Sequence, residues 1–551
     1  MSALRQTTGL ARALFFAGVA VLIAESVVFC LYGTSVYDEG GYLYEGWVTL
    51  THGQLPFRDF FAKLPPLLYY VYGAGQALCG PSVLVGRVES ALFMFAGLTL
   101  SAWMAWRLAG PWAAVLLVWL TAGNPFALSS YLHAYAVAPT AFFLVLALAL
   151  LILPRPRPAM LLGSAAAVAA MLLCRHDMLP PALVLWAYML WRYPAPLPWR
   201  VGSVVCSGAV FALVLLPFAL MAPDNVLSTL TIGKLGTHVP SVGGYAAATP
   251  ATVRSIVWHV VMFLRAYAGV LLLLATALAA GVAGRRGQAC PAPVPDGRAA
   301  AAPAALCGWM LAAALALWLS HVPAALATAG NVFYLLDPYL FFLAAMSAAV
   351  LFVLVMRALP VAAEAPVSPA ARGASQPRLV SGQGALAAVA VFAVLMVAFT
   401  GPGPHLELSL RRPTALAQMR VGAEALARNI PPGATIFTID DPHQFLEAGL
   451  LLPGSLTHEL FAYRECPDTA LVRRMRLFND EMIREWLDGG AQYVVISAGA
   501  RRFLRDGGRY SGSHRLDKLI MDRVGANYQR VAEVPGTWAG PMSIYRWRGE
   551  R

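Results

Sequence analysis

Eleven apolar runs, each near the length of a membrane-crossing helix, constrain this 551-residue chain more than any other feature. A transmembrane helix needs roughly 17–25 mostly apolar residues. The runs lie near 13–32, 82–106, 109–127, 134–153, 159–174, 178–192, 201–222, 256–280, 304–322, 332–356 and 384–402, and the third, fifth and sixth are short or interrupted. Hydrophobic residues make up 59% of the chain and charged residues 12%, against roughly 45–50% and about 25% in soluble domains. The sequence therefore predicts an α-helical polytopic membrane protein with about eleven transmembrane helices.

The basic residues predict how these helices are oriented. The net charge of +12 could indicate nucleic-acid binding, but most basic residues of the first 400 positions lie in short gaps between apolar runs. Thirteen arginines fall on one side of the arrangement, against seven basic residues in or near the opposite gaps. The positive-inside rule assigns the side with more basic residues to the cytoplasm. An odd number of spans then places the C-terminus outside, and no nucleic-acid partner is expected.

The composition divides the chain at about residue 402. Residues 1–402 hold the apolar runs, with long outer loops at 33–81 and 223–255. Residues 403–551 have the composition of a soluble domain, and their patterns predict a small extracytoplasmic α/β domain. Its predicted elements are helices at 415–427 and 481–487, strands at 435–439 and 492–497, and an antiparallel pair at 528–534 and 543–547. It contains no Gly-rich phosphate loop, so we expect the chemistry elsewhere.

Acidic residues are concentrated in the first outer loop, which holds four of the eleven that precede position 403. Asp38 and Glu39 follow the first apolar run directly, and Glu45 and Asp59 come later in the loop. Ionisable groups at a membrane boundary are functional candidates, because burying them is costly unless they are paired or hydrated. The alternative is a helix start, with Asp38 capping a helix over 39–50 and the helix dipole favouring both carboxylates. The local sequence leaves both interpretations open.

Lys63 lies in the same loop, immediately before a double proline. The segment around it is apolar and aromatic, which is typical of helices that lie at a membrane interface. Its ammonium group could contact a lipid phosphate there. Alternatively, Lys63 could simply extend its charged end from the membrane boundary into water.

The residue order of this loop resembles that of bacterial glycosyltransferases with the GT-C fold. The shared pattern is an acidic pair after the first span, a tyrosine, Arg-Asp-Phe and then Lys-x-Pro-Pro-Leu; it comprises here Asp38, Glu39, Tyr42, Arg58 to Phe60 and Lys63 to Leu67. The relatives are the aminoarabinose transferase of lipid A and the broader protein-mannosyltransferase-like group. Aminoarabinose transferases carry an acidic residue directly before the lysine, whereas this chain has Ala62. That departure argues against a metal-binding or aminosugar-specific role at this position.

The resemblance implies a glycosyltransferase of the bacterial inner membrane, acting on a polyprenyl-phosphate-linked sugar and an outer-face lipid, glycan or protein. Asp38 would be the base for the incoming hydroxyl, with Glu39 orienting it or binding a metal. Lys63 would bind the donor phosphate, and Arg58 would bind either that phosphate or Asp59. The resemblance implies no certain cofactor and leaves the metal unknown, although a divalent ion could take part.

Further candidates lie in the other outer gaps. Those that could join the donor-phosphate site are Lys234, Arg254, His259 and Arg265. Candidate substrate contacts are Tyr42, Asp59, Arg175, His176 and Tyr339. Simpler interpretations are interfacial anchoring for the basic residues, a self-satisfied charge cluster for Arg175-His176-Asp177 and a polar helix start near Tyr339.

Two other classes of protein remain as alternatives. A transporter or flippase of lipid-linked saccharides would share a basic outer cavity, but it should show paired repeats, and the sequence has no convincing repeat. A ligase that moves a whole glycan should carry its main functional loop late in the chain, rather than directly after the first span.

Overall fold

The computed structural model describes residues 2–152, 158–227, 229–230, 267–276, 308–310, 341–358, 413–457, 462–464, 466–505 and 513–549. The predicted span at 384–402, and most of those at 256–280 and 304–322, lie outside these residues. The number of spans therefore stays a prediction. The division at residue 402 also lies outside them and stays a prediction.

The N-terminal part is built from apolar helices. In chain order they are α1 (Ser2–Tyr32), α2 (Tyr37–His52), α3 (Leu67–Cys79), α4 (Val83–Ala109), α5 (Pro111–Ala122), α6 (Pro125–Leu132), α7 (Val137–Leu151), α8 (Pro158–Cys174), α9 (Leu179–Trp191), α10 (Leu197–Met221), α11 (Pro223–Leu227) and α12 (Phe341–Ala358). Among the described residues, three helices are long and apolar enough to cross a membrane: α1, α4 and α10. α4 packs against α5, α7 and α12, while α8 packs against α7 and α10.

The predicted run at 109–127 is interrupted, because two helices share it. α5 ends at Ala122 and α6 begins at Pro125. The Asn124 side chain accepts a hydrogen bond from the Ala127 N–H, and the proline ring fixes the first turn of α6. A helix start signal thus divides a run that hydropathy alone treats as continuous.

The first outer loop is largely helical, since α2 and α3 both lie within it and pack against each other. Their backbones meet at two glycines, where a Cβ atom added to Gly73 would lie 2.4 Å from the Gly46 carbonyl oxygen. α2 has Val36 at its N-cap, so the interpretation of Asp38 as the capping residue is wrong. Asp38 and Glu39 lie instead in the first helical turn, where the helix dipole favours both carboxylates.

Residues 413–549 contain a four-stranded sheet with several helices. The elements are α13 (Ala415–Asn429), β1 (Ile436–Thr438), α14 (His443–Ala448), α15 (Thr469–Arg474), α16 (Asp480–Glu485), β2 (Tyr493–Ser497), α17 (Ala498–Arg505), α18 (Ser513–Asn527), β3 (Tyr528–Val534) and β4 (Met542–Trp547). The strand order is β1-β2-β4-β3, with β1 and β2 parallel and the other pairs antiparallel. The predicted antiparallel pair, β3 and β4, is confirmed. The helix predicted at 481–487 becomes the short α16 and a π-helical turn, Trp486–Gly490.

This C-terminal segment packs directly on the N-terminal helices. One hydrophobic core contains Leu446 and Val495 of the C-terminal segment together with Tyr44 and Leu68 of the first outer loop. A second core, which includes Phe437, lies mainly within the C-terminal segment. α14 packs against α2. The C-terminal segment therefore lies beside the helix that carries Asp38 and Glu39.

Candidate active site

Asp38 and Lys63 form an ion pair in the first outer loop. Lys63 Nζ donates to Asp38 Oδ1 at 3.0 Å. The side chain of Lys63 is 33% exposed and that of Asp38 is 30% exposed. The backbone next to Lys63 is fixed, because the Thr229 hydroxyl donates to the Ala62 carbonyl oxygen at 2.8 Å. The pair is thus held in place and remains open to a ligand.

A second cation, Arg175, lies near this pair. Burial opposes the charge on Lys63, but the Asp38 carboxylate outweighs it and raises the pKa of the ammonium group. Arg175 lies close enough for its charge to act on both Lys63 and Tyr42. Arg175 also pairs with Asp177 at 2.8 Å, which confirms the predicted charge cluster for these two residues. The repulsion between two nearby positive charges is reduced when an anion binds beside them.

Glu39 is fully buried in a network of polar contacts. Arg87 donates to both carboxylate oxygens, each at 2.9 Å. The Ser35 hydroxyl donates at 2.7 Å and the Ala134 N–H at 3.1 Å. Burial alone would raise the pKa of Glu39, but Arg87 and the contact with His443 hold it well below its usual range. This arrangement favours the orienting role predicted for Glu39, and direct catalysis by Glu39 stays a prediction.

His443 of the C-terminal segment completes the surroundings of Glu39. Its Nε2 atom lies 2.9 Å from Ser35 Oγ and 3.9 Å from Glu39 Oε2. Its Nδ1 atom pairs with the Asp441 carboxylate. Gly40 allows this close approach, since a Cβ atom there would lie 2.5 Å from His443 Nδ1. The C-terminal segment therefore touches the helical turn that carries the acidic pair.

Two further polar contacts fasten the C-terminal segment to the first outer loop and to α4. Glu447 Oε1 accepts a hydrogen bond from the Val83 N–H at 2.7 Å, at the start of α4. The Thr457 hydroxyl donates to Glu45 Oε1 at 2.9 Å, in the middle of α2. Because α2 is held at its start and its middle, the C-terminal segment helps to set the position of Asp38.

The charge on His443 makes this contact dependent on pH. Burial works against the charged imidazole, but the carboxylates of Asp441 and Glu39 outweigh it and raise the pKa of His443 to about 9. Arg87, which pairs with Glu39, is the other charged group of the network. A raised histidine pKa contributes stability that is complete below the unfolded pKa of about 6.5 and is lost as the pH rises through the folded pKa.

We therefore expect the difference in thermal unfolding midpoint between wild type and His443→Gln to shrink as the pH rises from about 6 to about 10. Both proteins are measured in the same detergent across this range. His52→Gln, which changes an exposed histidine of α2, is the matched control and should show no such trend. A difference that stays constant across the range would show that folding does not raise the pKa of His443.

The other predicted site residues lie in several places. Arg58 donates to both carboxylate oxygens of Asp59, at 3.0 and 2.6 Å. Asp59 is one of the two partners predicted for Arg58. Tyr42 is buried within α2, and His176 begins a short 3-10 helix next to Arg175. The remaining candidates lie outside the described residues, and their roles stay predictions; they are Lys234, Arg254, His259, Arg265 and Tyr339.

Sequence reasoning did not assign Arg87, Ser35 or His443 to the site. Arg87 is fully buried within α4. A basic residue inside an apolar run could have identified it, because such a charge requires a partner. His443 gave no comparable signal, since 408 positions separate it from Ser35.

A metal site is not indicated by the part of the chain that the structure describes. Within it, no group of three or more His, Cys, Asp or Glu side chains is arranged to hold a metal ion. The Glu39 carboxylate is instead bonded by Arg87, Ser35 and the Ala134 N–H.

Comparison with solved structures identifies the fold. No protein-family model and no curated protein matches the sequence. ArnT from Cupriavidus metallidurans bound to undecaprenyl phosphate matches with a TM-score of 0.59 and 14% identity over 98% of both chains. The chain has the GT-C fold. The apo structure of ArnT gives a TM-score of 0.57 and 16% identity over the same shares.

The GT-C fold is as far as this similarity extends, because identities of 14–16% establish shared architecture and not a shared substrate. The oligosaccharyltransferase of Archaeoglobus fulgidus also matches, at 14% identity over 97% of this chain and 74% of the other. Its TM-score of 0.46 is too low to support an argument. The GT-C fold and the apolar helices together describe an integral membrane protein.

Proposed function

We propose that this chain is a cell-envelope glycosyltransferase that moves a sugar from a polyprenyl-phosphate-linked donor to an acceptor at the outer face of a bacterial cytoplasmic membrane. The ion pair of Asp38 and Lys63, 3.0 Å apart and partly exposed within a GT-C fold, carries this proposal. The similar ArnT structure contains undecaprenyl phosphate, which supports a polyprenyl carrier for the donor. The acceptor is a lipid, a glycan or a protein with a free hydroxyl group.

The ion pair suggests how donor binding prepares the base. Without a ligand, Asp38 and Lys63 neutralise each other. A donor phosphate carries a negative charge on its two non-bridging oxygens and competes with the Asp38 carboxylate for Lys63. When Lys63 turns to the phosphate, the Asp38 carboxylate becomes free to accept a proton. The base is therefore available only when the donor is bound.

Transfer then exchanges one bond of the sugar for another. The bond between the anomeric carbon and the phosphate oxygen breaks, and a bond from that carbon to the acceptor oxygen forms. Asp38 accepts the proton of the acceptor hydroxyl, and its carboxylate favours the positive charge that develops on the sugar. Lys63, with Arg175 nearby, stabilises the negative charge that the leaving phosphate gains. Glu39 keeps the first turn of α2 oriented through Arg87.

The proposal is tested by measuring the transfer of radiolabelled sugar from polyprenyl-phosphate donors by the purified protein, with and without a metal chelator. Transfer to an added acceptor is the expected result. The absence of transfer with every donor, together with movement of lipid-linked glycan across liposomes, would overturn the proposal and favour a flippase.

Replacing Lys63 with glutamine is expected to raise the KM for the donor by about 10–100-fold, because a charge-assisted hydrogen bond contributes about 1.5–3 kcal/mol. Turnover should fall as well, since the leaving phosphate loses its cation. Lys518→Gln, which removes an exposed lysine of α18, is the matched control. A donor KM that is unchanged in Lys63→Gln would exclude Lys63 from the donor site.

A further inference from the structure

A cavity of about 440 Å³ lies between the end of α10 and the C-terminal segment. None of its lining residues belongs to the Asp38–Lys63 pair or to the network around Glu39. The residues that line it include Phe57, residues 221–225, Arg58, Arg473, Arg474 and Arg476. We call it the arginine cavity.

Arginines are the most numerous charged residues that line the arginine cavity. Its lining holds four arginines and one acidic residue, Asp224. Arg474 pairs with Asp224 at 3.0 Å, and Arg58 and Arg473 pair with acidic residues outside the lining. A guanidinium group has five N–H donors in a planar fork that matches the oxygens of a phosphate. The contacts within the described part of the chain use only some of these donors, so the cavity can still bind an anion.

The backbone at the arginine cavity is strained. Phe57, with φ 67°, and Arg476, with φ 55°, are the two non-glycine residues with positive φ in the described part of the chain. Both line the arginine cavity. Asn225 links two segments of the rim, since its Nδ2 atom donates to the Phe57 carbonyl oxygen at 2.6 Å and to the Arg474 carbonyl oxygen at 3.3 Å. Strained backbone of this kind persists where the surrounding structure holds a functional geometry.

The position of the arginine cavity indicates which class of anion it binds. α10 is one of the helices long and apolar enough to cross a membrane, and it ends at Met221 in the cavity wall. Leu213, Leu216 and Leu220 are exposed on α10 at spacings of three and four residues, so they form one apolar stripe that leads towards the cavity. A ligand with a charged head in the cavity and apolar chains along this stripe would satisfy both surfaces.

We infer that the arginine cavity binds the phosphate headgroup of an anionic membrane lipid, whose chains lie along the apolar stripe of α10. The four arginines supply the phosphate contacts, and the stripe supplies the contact with the chains. This lipid is not a reactant, because the arginine cavity does not include Asp38 or Lys63. Its binding would anchor α15 of the C-terminal segment to the membrane surface.

The test is a titration of the purified full-length chain in neutral detergent with fluorescent phosphatidylglycerol, and separately with fluorescent phosphatidylcholine. We expect phosphatidylglycerol to bind at least about tenfold more tightly, since only it carries a net negative charge. The affinity of Arg474→Gln/Arg476→Gln for phosphatidylglycerol should fall by at least about tenfold. The matched control, Arg420→Gln/Arg428→Gln, removes two exposed arginines from α13 and should bind as wild type does.

Two further arms make the outcome decisive. Arg474→Lys/Arg476→Lys keeps the charge but removes the planar fork, so it should bind with intermediate affinity even if the glutamine variant does not fold. Equal binding of the two lipids by wild type would overturn the inference. Wild-type affinity for phosphatidylglycerol in both Arg474→Gln/Arg476→Gln and Arg474→Lys/Arg476→Lys would also overturn it. Inorganic phosphate should not displace phosphatidylglycerol at comparable concentration; if it does, the ligand is a soluble phosphate compound rather than a lipid. Lipid binding is read without sugar transfer, so either result is independent of the proposed function.

Discussion

Replacing Asp38 with asparagine is expected to lower the turnover number by about 10²–10⁴-fold, the contribution that a positioned general base makes. Asparagine keeps the shape of the side chain and can still accept a hydrogen bond from Lys63. Its amide cannot take up the proton of the acceptor hydroxyl. The measurement is the initial rate of sugar transfer at saturating donor, normalised to the amount of folded protein that elutes as a single peak in size-exclusion chromatography.

The control for this variant is Glu424→Gln, which neutralises an exposed carboxylate of α13. It should transfer sugar at the wild-type rate. If folded Asp38→Asn also turned over at the wild-type rate, Asp38 would not be the base, and the chemistry would lie at another residue of the site.

Replacing Arg87 with methionine is expected to lower the free energy of unfolding by about 3–5 kcal/mol, because it leaves the Glu39 carboxylate buried without its cation. Both side chains are fully buried, so water cannot compensate for the lost partner. Methionine has a similar length and suits the apolar helix α4. The loss is measured by thermal or denaturant unfolding in detergent and should appear as a lower midpoint.

The double variant Arg87→Met/Glu39→Gln separates the lost charge from the changed packing. Glutamine needs no cation, so we expect the double variant to recover much of the stability that Arg87→Met loses. Arg107→Met, which changes an exposed arginine near the end of the same helix, should have little effect. A double variant as unstable as Arg87→Met would trace the loss to packing and not to the uncompensated carboxylate.

Elements that depend on neighbours along the chain could be predicted from the sequence. Helical periodicity located α13, and alternation located β3 and β4 with the correct antiparallel pairing. The ion pair of Asp38 and Lys63 joins residues 25 positions apart within one loop, and the resemblance had already placed both in one site. The position of the break before Pro125 was not assigned, because hydropathy alone does not locate a helix start inside an apolar run.

Contacts between distant parts of the chain could not be predicted in this way. Arg87 lies 48 positions from Glu39, and nothing in the local pattern tells which acidic residue it meets. The approach of His443 to Ser35 depends on Gly40, whose missing side chain matters only once the C-terminal segment has docked. Tertiary packing, rather than local preference, selects these partners, so a single sequence does not contain the necessary signal.

The docking of His443 onto Ser35 and Glu39 has a consequence for how the protein is made. The ribosome delivers the early helices to the membrane well before residues 413–549 have been synthesised. During that interval the start of α2 lacks the imidazole and the surface that later covers it. If the chain has the proposed function, we expect a nascent chain to be inert towards lipid-linked sugars until residues 413–549 have docked onto α2. On the proposed function, the active site would be complete only after this docking.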